Sequence, residues 1–312
     1  MKEILVTVLL IMSQLVSAQS RKVYMFSYFR GNGEDGLHLA YSRDGLKFTA
    51  LGNEKSFLAP TVGISKLMRD PCIIQTPDGI FHMVWTAGWT ERGIGYSSSR
   101  DLLTWTEQKY FPVMEKEPTA RNCWAPEINY DKKKKQFLII WSSTIPGRFP
   151  DTEKGGDSGY DHRIYSVTTK DFMTFSDTGL FYDKGFNVID ATVNKTGRKW
   201  FMLIKDETRN PPQKNIRITT AKSLYGPYSG PSEPITGKYW AEGPSSIKIN
   251  GMWHVYFDKY TENKMGAVIS KDLKKWEDIS EKVSFPDGVR HGTIFETDES
   301  TLQKLLNHGQ VR

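Results

Sequence analysis

The chain has 312 residues, a mass of 35.7 kDa and a formal net charge of +6. Its 25% charged and 38% hydrophobic residues exclude a disordered polymer and favour a globular protein with one large domain or two medium ones. Only two cysteines are present, which excludes a disulfide-stapled scaffold and a cysteine-rich zinc module. The 26 Gly, 15 Pro, 9 Trp, 14 Tyr and 16 Phe favour a turn-rich β protein over a helical bundle.

Residues 1–18 are predicted to be a secretory signal peptide. Met1–Glu3 precede a largely apolar run over residues 4–16, and the small residues Val16–Ala18 offer a cleavage point before Gln19. The run is short for a membrane span, and a buried N-terminal strand is the alternative. We therefore expect residues 19–312 to form a single secreted or periplasmic domain that has no membrane partner.

Two other features have an ordinary structural interpretation. Lys132 to Lys135 is the only long basic run, and we interpret it as a solvated hairpin turn between two apolar strands rather than a nucleic-acid patch. No nucleic-acid partner is expected. An oxidising compartment would permit a disulfide between Cys72 and Cys123, but two buried free thiols are the favoured interpretation.

An internal repeat along the chain predicts the architecture. The motif Ser/Thr-x-Asp-x-x-x-aromatic begins at Ser42, Ser99, Thr169 and Ser270, and a degenerate copy begins at Ala221. Each copy follows a short apolar segment whose pattern is typical of an antiparallel strand. In chain order these segments are residues 23–28, 80–85, 136–141, 199–204 and 252–257.

Five such units, each with room for four short strands, predict an all-β, five-bladed β-propeller. A β-sandwich is the alternative, but it would not need the repeated motif. The last unit begins near His291 and lacks its later strands, whereas the N-terminus supplies later strands and lacks the first. We therefore expect one blade to be closed by both termini. A short helix is predicted at residues 302–306.

The innermost strands of a propeller converge on a central funnel, so the residues that begin them meet at one mouth. In chain order these positions carry Asp70, Glu127, Asp190, Glu242 and His291. Glu127 is two residues out of register with Asp70, on the same strand face. Each carboxylate alone is explained as a turn former. A ring of like charges costs free energy, however, and indicates either cation binding or acid/base catalysis.

Five motifs at blade spacing carry a family resemblance. In chain order they are Arg69-Asp70-Pro71, Trp124-Ala125-Pro126-Glu127, Ile189-Asp190, Ala241-Glu242-Gly243-Pro244 and His291-Gly292-Thr293. From about Val23 to Phe295 the chain resembles glycoside hydrolase family 43, whose propeller enzymes include arabinofuranosidases, arabinanases, xylosidases and exo-galactanases. The family often has Ile-Asp-Pro-Ser where this chain has Ile189-Asp190-Ala191-Thr192, which affects a backbone detail and not the carboxylate.

The resemblance implies an inverting glycosidase with three catalytic carboxyl groups. Asp70 would be the general base that activates water, and Glu242 the general acid that protonates the leaving oxygen. An inverting enzyme separates these two groups by roughly 6.5–9.5 Å to admit the water. Asp190 would orient Glu242 and keep it protonated near neutral pH by like-charge repulsion.

Substrate-binding residues are also implied. Trp89, Trp124 and Trp240 are candidate sugar platforms, with packing between blades as the alternative. Glu127 is placed with them in the substrate site. Arg290 could bind sugar hydroxyls or pair with a ring carboxylate, and His291 would lie near the funnel axis. No cofactor is required, and a structural calcium near His291 is compatible with the resemblance without being demanded by it.

The expected activity is removal of terminal α-L-arabinofuranosyl residues from plant polysaccharides by an exo-acting monomer. Many family xylosidases carry an additional C-terminal β-sandwich, and its absence here shifts the expectation toward arabinofuranosidases. A β-xylosidase or an exo-galactanase of the same fold is the closest alternative. A non-catalytic carbohydrate-binding propeller, a sialidase-like propeller suggested by Ser42–Gly45 and a calcium-dependent structural propeller are the others. The binding propeller has no use for Asp70 and Glu242 together, and the arginine cluster and nucleophilic Tyr of a sialidase cannot be assigned here. Chelator-sensitive folding without hydrolysis would favour the structural propeller.

Overall fold

The computed structural model describes residues 22–310, so the predicted signal peptide lies outside the described residues. Within them the chain forms five small antiparallel sheets arranged as the blades of a β-propeller, followed by one α-helix. This confirms the predicted fold class. No helix in residues 22–310 is long and apolar enough to cross a membrane.

The strands follow one another blade by blade along the chain. The N-terminal strands are β1 (Lys22–Tyr28), β2 (His38–Ser42) and β3 (Thr49–Ala50). Blade I contains β4 (Arg69–Gln75), β5 (Phe81–Thr86), β6 (Ile94–Ser99) and β7 (Lys109–Phe111). Blade II contains β8 (Trp124–Asp131), β9 (Gln136–Thr144), β10 (His162–Thr169) and β11 (Gly179–Tyr182).

The second half of the chain completes the ring. Blade III contains β12 (Val188–Thr196), β13 (Lys199–Asp206) and β14 (Asn215–Ala221). Blade IV contains β15 (Glu242–Ile249), β16 (Met252–Lys259), β17 (Lys264–Ser270) and β18 (Glu277–Asp278). Strand β19 (Thr293–Asp298) and helix α1 (Glu299–Gln310) follow.

Blade V is assembled from both ends of the chain, as predicted. Strand β19 is its inner strand and pairs antiparallel with β1, from Ser27 opposite Thr293 to Lys22 opposite Asp298. The order within this sheet is β19-β1-β2-β3. Because β19 pairs along β1, this side of β1 is not left open for pairing with another chain.

The repeated motif forms the same tight turn in four blades. In each copy one carboxylate oxygen of the aspartate accepts the backbone N–H groups two and three residues later, as Asp44 does from Leu46 and Lys47 at 2.7 and 2.9 Å. The same bonds occur at Asp101, Asp171 and Asp272. The degenerate copy has Ser223 in place of the aspartate, and its blade has only three strands in the described sheet.

Apolar side chains fill the spaces between neighbouring blades. Cys72 and Cys123 are both buried between blades I and II as free thiols, as the favoured interpretation predicted. Helix α1 is longer than the predicted helix at residues 302–306, because its first turn is anchored by Asp298, which accepts the Thr301 backbone N–H at 2.8 Å. Its fully buried Leu302 and Leu305 pack in the cluster that contains residues of the closing blade.

Candidate active site

A β-bulge recurs at the start of four inner strands. In β4 the pairing moves from Arg69 opposite Thr86 to Cys72 opposite Val84, which leaves two residues of the inner strand without partners. The same shift occurs in β8, β12 and β15. The first bulged residues have φ angles of 47–57° and are Asp70, Ala125, Asp190 and Gly243.

The bulge explains where each predicted carboxylate stands. Asp70 and Asp190 occupy the same bulged position in blades I and III, in a strained left-handed conformation that costs about 1–3 kcal/mol for a non-glycine residue. Glu242 comes one residue before the bulge of its blade, and Glu127 comes immediately after the bulge of its own. The structure therefore brings four carboxylates to one end of the inner strands, as the motif spacing predicted.

Asp70 is held as an ionised carboxylate by its neighbours. Thr86 Oγ donates to Oδ2 at 2.7 Å, and the ring nitrogen Nδ1 of His291 lies 3.3 Å from Oδ1. Burial opposes ionisation, but the charges of His291 and Arg69 and the two hydrogen bonds together lower the pKa of Asp70 to about 2. Asp70 is therefore ionised throughout the physiological pH range.

His291 is the cationic partner of this carboxylate. Burial opposes protonation of the ring, but Asp190, Asp70 and Glu242 raise its pKa to about 9. Its side chain is 11% exposed and packs directly on the backbone of Gly243. A Cβ at Gly243 would lie 2.2 Å from His291 Cγ, so only glycine admits the imidazole here.

Asp190 links blade III to blade IV. Its Oδ2 accepts the backbone N–H of Gly243 at 2.9 Å, next to Glu242. Burial, with the nearby charges of Glu242 and Asp70, raises the pKa of Asp190 to about 6, against the opposing effects of His291 and Lys205. The carboxyl group is therefore poised to gain or lose a proton under mildly acidic conditions.

Glu242 is held between two cations, of which the sequence analysis anticipated Arg290 but not Lys205. Lys205 Nζ lies 2.9 Å from Oε2, and Arg290 Nη2 lies 3.4 Å from Oε1. Burial raises the pKa of Glu242, but Lys205, His291 and Arg290 outweigh burial and lower it. The expectation that Asp190 keeps Glu242 protonated near neutral pH is therefore wrong for the free protein, because the cations outweigh like-charge repulsion.

Lys205 is the main functional candidate that sequence reasoning missed. It is 1% exposed and contacts Glu207 at 2.6 Å as well as Glu242, and its Nζ lies 4.6 Å from the ring centroid of Tyr260. It stands opposite Ile189, the position at which blades I and II carry Thr86 and Ser142. A comparison of the second strands extended by one residue beyond Ile204 would have found it.

Arg290 pairs with ring carboxylates, one of the two roles expected for it. Its Nε donates to Asp258 Oδ2 at 2.6 Å, in addition to its contact with Glu242. Asp258 stands directly opposite Glu242 on the neighbouring strand and is buried. Burial and the charge of Glu242 raise the pKa of Asp258 to about 6 despite Arg290. Arg290 therefore holds both carboxyl groups in one arrangement.

Glu127 is a further carboxyl group of the cluster that can titrate near neutral pH. Desolvation raises its pKa to about 7, although the positive His291 and hydrogen bonds involving Thr192 and Cys72 oppose this shift. The funnel therefore contains carboxyl groups of unlike basicity in one place. Such divergence is typical of sites that divide acid and base roles between carboxylates.

Two aromatic walls flank the inner strands. On one side Trp89, 45% exposed, meets Trp124 edge-on with ring centroids 5.5 Å apart. Arg69 lies over the Trp89 ring at 4.2 Å, and Tyr160 brings the long loop after β9 to within 4.7 Å of Trp124. These rings contact one another yet retain exposed surface, so interblade packing and sugar stacking are both compatible with them.

The second wall lies beside blade IV. Trp240 is partly exposed and its ring centroid lies 5.9 Å from that of Tyr260. The guanidinium of Arg209 lies 5.0 Å from the Trp240 centroid, and Lys214, which pairs with Glu207, lies 5.8 Å from it. The predicted platform residues thus flank the carboxylate cluster, with Trp89 and Trp124 beside blades I and II and Trp240 beside blade IV. Arginine side chains lie over the rings of Trp89 and Trp240.

The residues near His291 do not fit a calcium site. No group of three or more His, Cys, Asp or Glu side chains within residues 22–310 is arranged to hold a metal ion. The ring nitrogen Nδ1 of His291 already faces Asp70 Oδ1 at 3.3 Å.

The sequence is similar to a characterised enzyme over part of its length. It is 25% identical over 225 residues to an α-L-arabinofuranosidase of Bifidobacterium longum, a match that covers 59% of this chain and 21% of that enzyme. The chain thus spans about a fifth of the length of this relative.

Solved structures share the fold at lower identity. An α-L-arabinofuranosidase of Lactobacillus brevis superposes with a TM-score of 0.53 and 18% identity, covering 68% of this chain and 72% of that one. An exo-β-1,3-galactanase of Phanerochaete chrysosporium gives a TM-score of 0.52 and 14% identity over 67% of this chain and 49% of that one. The family-43 protein BlXynB of Bacillus licheniformis gives a TM-score of 0.51 and 20% identity, covering 68% of this chain and 41% of that one.

A family profile decides the assignment. The profile described as "Probable glycosyl hydrolase domain", of the family 43-related group, matches residues 20–301, which include every blade and the whole carboxylate cluster. The five motifs, the closed five-bladed ring and this match agree: the chain belongs to glycoside hydrolase family 43.

Proposed function

We propose that this protein is an inverting glycosidase that removes terminal α-L-arabinofuranosyl residues from plant polysaccharides. The observation that carries the proposal is the cluster of unlike carboxyl groups at the funnel mouth: an ionised Asp70 and, on other blades, Asp190 and Glu242. An inverting glycosidase requires one carboxylate to accept a proton from water and one carboxyl group to donate a proton to the leaving oxygen.

Asp70 is the proposed base. Its low pKa keeps it ionised, and the Thr86 hydroxyl and His291 ring hold its two oxygens in place. It accepts a proton from the water that attacks the anomeric carbon. The proton of His291 stabilises the carboxylate while the water is positioned, and is not itself transferred to the sugar.

Glu242 is the proposed acid, with Lys205 and Arg290 as its positioning residues. The two cations fix the carboxyl group but also lower its pKa, so the protonated fraction grows as the pH falls. We therefore expect the activity to be greatest in the acidic range. Asp190 accepts the backbone N–H of Gly243 and so positions the chain next to Glu242.

The proposed substrate sugar is supported by the relatives and by the aromatic residues at the funnel mouth. The Bifidobacterium and Lactobacillus relatives are arabinofuranosidases, whereas the Phanerochaete protein is a galactanase. Trp89, Trp124 and Trp240 supply walls on two sides of the carboxylates, which suits one terminal sugar in a pocket. A β-xylosidase or exo-galactanase is the second candidate. We further propose secretion or periplasmic export through residues 1–18, and a monomeric enzyme.

Product analysis tests the proposal. We expect release of arabinose from 4-nitrophenyl α-L-arabinofuranoside and from branched arabinan, with free arabinose as the first product and with the anomer inverted in proton NMR spectra taken before mutarotation. Asp70→Asn is the matched inactive control. Early mid-length oligosaccharides would contradict exo action, a retained anomer would contradict the role of Asp70, and cleavage of xylosides or galactan alone would contradict the sugar.

A further inference from the structure

A basic cleft lies at the end of the propeller opposite the candidate active site, between blades II and III. Strands β8 and β12 both run away from the mouth, so the turns that follow Asp131 and Thr196 lie at the far end. Lys195 lies roughly 16 Å along β12 from Asp190, at about 3.3 Å per residue. The cleft has a volume of about 660 Å³, within the range of about 300–1,000 Å³ for ligand sites.

The cleft carries an uncompensated positive charge. Its cationic lining residues are Lys132, Lys133, Lys134, Lys195, Arg198 and Lys222. Within the described part of the chain, none of these six forms a salt bridge with a carboxylate (the ion pairs involve other residues). The lining carboxylate, Asp131, is already bonded to the backbone N–H groups of Lys133 and Lys134 and to the Tyr225 hydroxyl. The field of the cleft therefore attracts anions.

Three aromatic residues line the same cleft, namely Tyr130, Trp200 and Tyr225. Trp200 and Tyr225 are both partly exposed there. Lys134 Nζ lies 3.8 Å from the Tyr225 ring centroid, and Lys195 Nζ lies 5.5 Å from that of Trp200. The bond from the Tyr225 hydroxyl to Asp131, at 3.1 Å, fixes this ring of blade III against the hairpin of blade II. A lysine therefore lies over each of these two rings.

We propose that this cleft binds a polysaccharide whose sugars carry carboxylate groups, at a site separate from the funnel. Aromatic faces stack on sugar rings, and the lysine ammonium groups pair with the carboxylates. One carboxylate beside each sugar leaves the ring faces open for stacking, whereas several sulfate groups on a sugar cover them. Basic clefts with aromatic rings also suit nucleic acids, and the choice of a glycan rests on the membership of family 43.

The first test measures binding of polygalacturonate to the full-length protein by calorimetry at physiological salt. The cleft variant Lys133→Gln, Lys195→Gln, Lys222→Gln should bind at least tenfold more weakly. The control variant Lys271→Gln, Lys274→Gln, Lys275→Gln removes the same charge from exposed lysines elsewhere and should bind as the unmodified protein does. Equal weakening in both variants would overturn the proposal, because it would indicate attraction by net charge alone.

A second pair of variants tests the aromatic contact. Tyr225→Leu should weaken polygalacturonate binding severalfold, and Tyr225→Trp should retain it, with thermal unfolding as the check that both are folded. The other probes are dextran sulfate, single-stranded DNA and anionic phospholipid vesicles at equal charge concentration. Each should bind more weakly than polygalacturonate. Equal or tighter binding of any of them through the cleft residues would overturn the carboxylated glycan as the partner.

Hydrolysis separates this proposal from the proposed function. The cleft variant should hydrolyse 4-nitrophenyl α-L-arabinofuranoside at the unmodified rate, because the cleft lies at the far end from Asp70 and Glu242. A protein that binds polygalacturonate through the cleft but hydrolyses no glycoside would contradict the proposed function alone. A protein that hydrolyses arabinosides but does not bind polygalacturonate would contradict the cleft alone.

Discussion

At the scale of single residues, the cations around Glu242 decide how its carboxyl group titrates. Lys205 is fully buried and Arg290 is half-buried, and each contacts one oxygen of Glu242. Removal of one partner of a buried pair is costly because it leaves the other charge without compensation. The site is therefore expected to respond to substitutions at Lys205 in its pH dependence as well as in its rate.

We predict that Lys205→Met raises the pKa of Glu242, because the cation that most strongly lowers it is lost. If Glu242 is the acid, it must be protonated, so the high-pH limb of the kcat/KM profile should move upward by about one pH unit. Lys205→Arg keeps the charge and should retain the original limb. Lys214→Met is the matched control, because Lys214 is a lysine that pairs with Glu207 and not with Glu242. A limb that stays in place in Lys205→Met would contradict the assignment.

Glu242→Gln tests the acid itself. The amide cannot donate the proton, so hydrolysis of substrates with poor leaving groups should fall by about 10²–10⁴-fold. Dinitrophenyl glycosides need little protonation and should be partly spared. The measurement is kcat for an alkyl and a dinitrophenyl arabinoside side by side. An equal loss on both substrates would remove Glu242 from the role of acid.

At the scale of elements, the aspartate of the repeated motif sets the turn between the outer strands. Asp101 accepts the backbone N–H groups of Leu103 and Thr104 at 2.9 and 2.7 Å, and Ser99 Oγ accepts that of Leu102 at 2.9 Å. Leu102 has a φ of 63° and is fully buried, so the turn fixes an unfavourable backbone in order to bury a large side chain.

We predict that Asp101→Ala lowers the free energy of unfolding by about 1–2 kcal/mol, because two backbone donors lose their acceptor. Asp177→Ala is the control: this residue pairs with Lys116, and both side chains are more than four-fifths exposed, so its loss should leave the free energy of unfolding essentially unchanged. Urea denaturation followed by tryptophan fluorescence measures both. Equal values would contradict the role of the motif in the turn.

Some parts of the structure could be predicted from the sequence and others could not. The second strands were predicted within one to three residues because each is an apolar run bounded by turn residues, as in Gln136–Thr144. The mouth carboxylates were predicted because the blade period brings equivalent positions together. Lys205 was not predicted, because a lysine at the end of a strand is usually solvent-exposed. Its burial depends on Glu207 and Glu242, which the fold brings next to it.

The pKa of Glu242 is the clearest case of what sequence could not supply. The sequence places Asp190 near it and predicts repulsion, but the balance depends on distances to Lys205 and Arg290, which lie 37 and 48 residues away. Helix α1 was predicted too short at both ends. The residues after Leu306 are polar and give no apolar pattern, and the start at Glu299 depends on Asp298, which accepts the Thr301 backbone N–H.

At the scale of the whole molecule, helix α1 supports the closure of the ring. Its Leu302 and Leu305 are fully buried in a cluster with Val23 and Met25 of β1 and Phe295 of β19. The two strands that join the ends of the chain are thus packed against one helix. Loss of that packing should loosen the blade that also carries His291 into the funnel.

We predict that Leu305→Ala lowers the free energy of unfolding by about 2–5 kcal/mol, because it leaves a cavity beneath the closing strands. Lys304→Ala, on the exposed side of the same helix, should have a negligible effect. Thermal and urea denaturation of both variants measure the difference. Activity at low temperature should be retained in both, so a loss of kcat without a loss of stability would contradict this view of the helix.

The recurrent bulge has a consequence for how this scaffold can change over evolutionary time. Asp70, Ala125, Asp190 and Gly243 share one backbone conformation at one point of their blades. The bulges at Asp70, Ala125 and Asp190 are therefore equivalent sockets, in which a single codon change installs or removes an acidic group, whereas the bulge at Gly243 admits no side chain because His291 packs against it. Ala125 is such a socket without a charge, so new chemistry on this ring can begin with one substitution and no insertion.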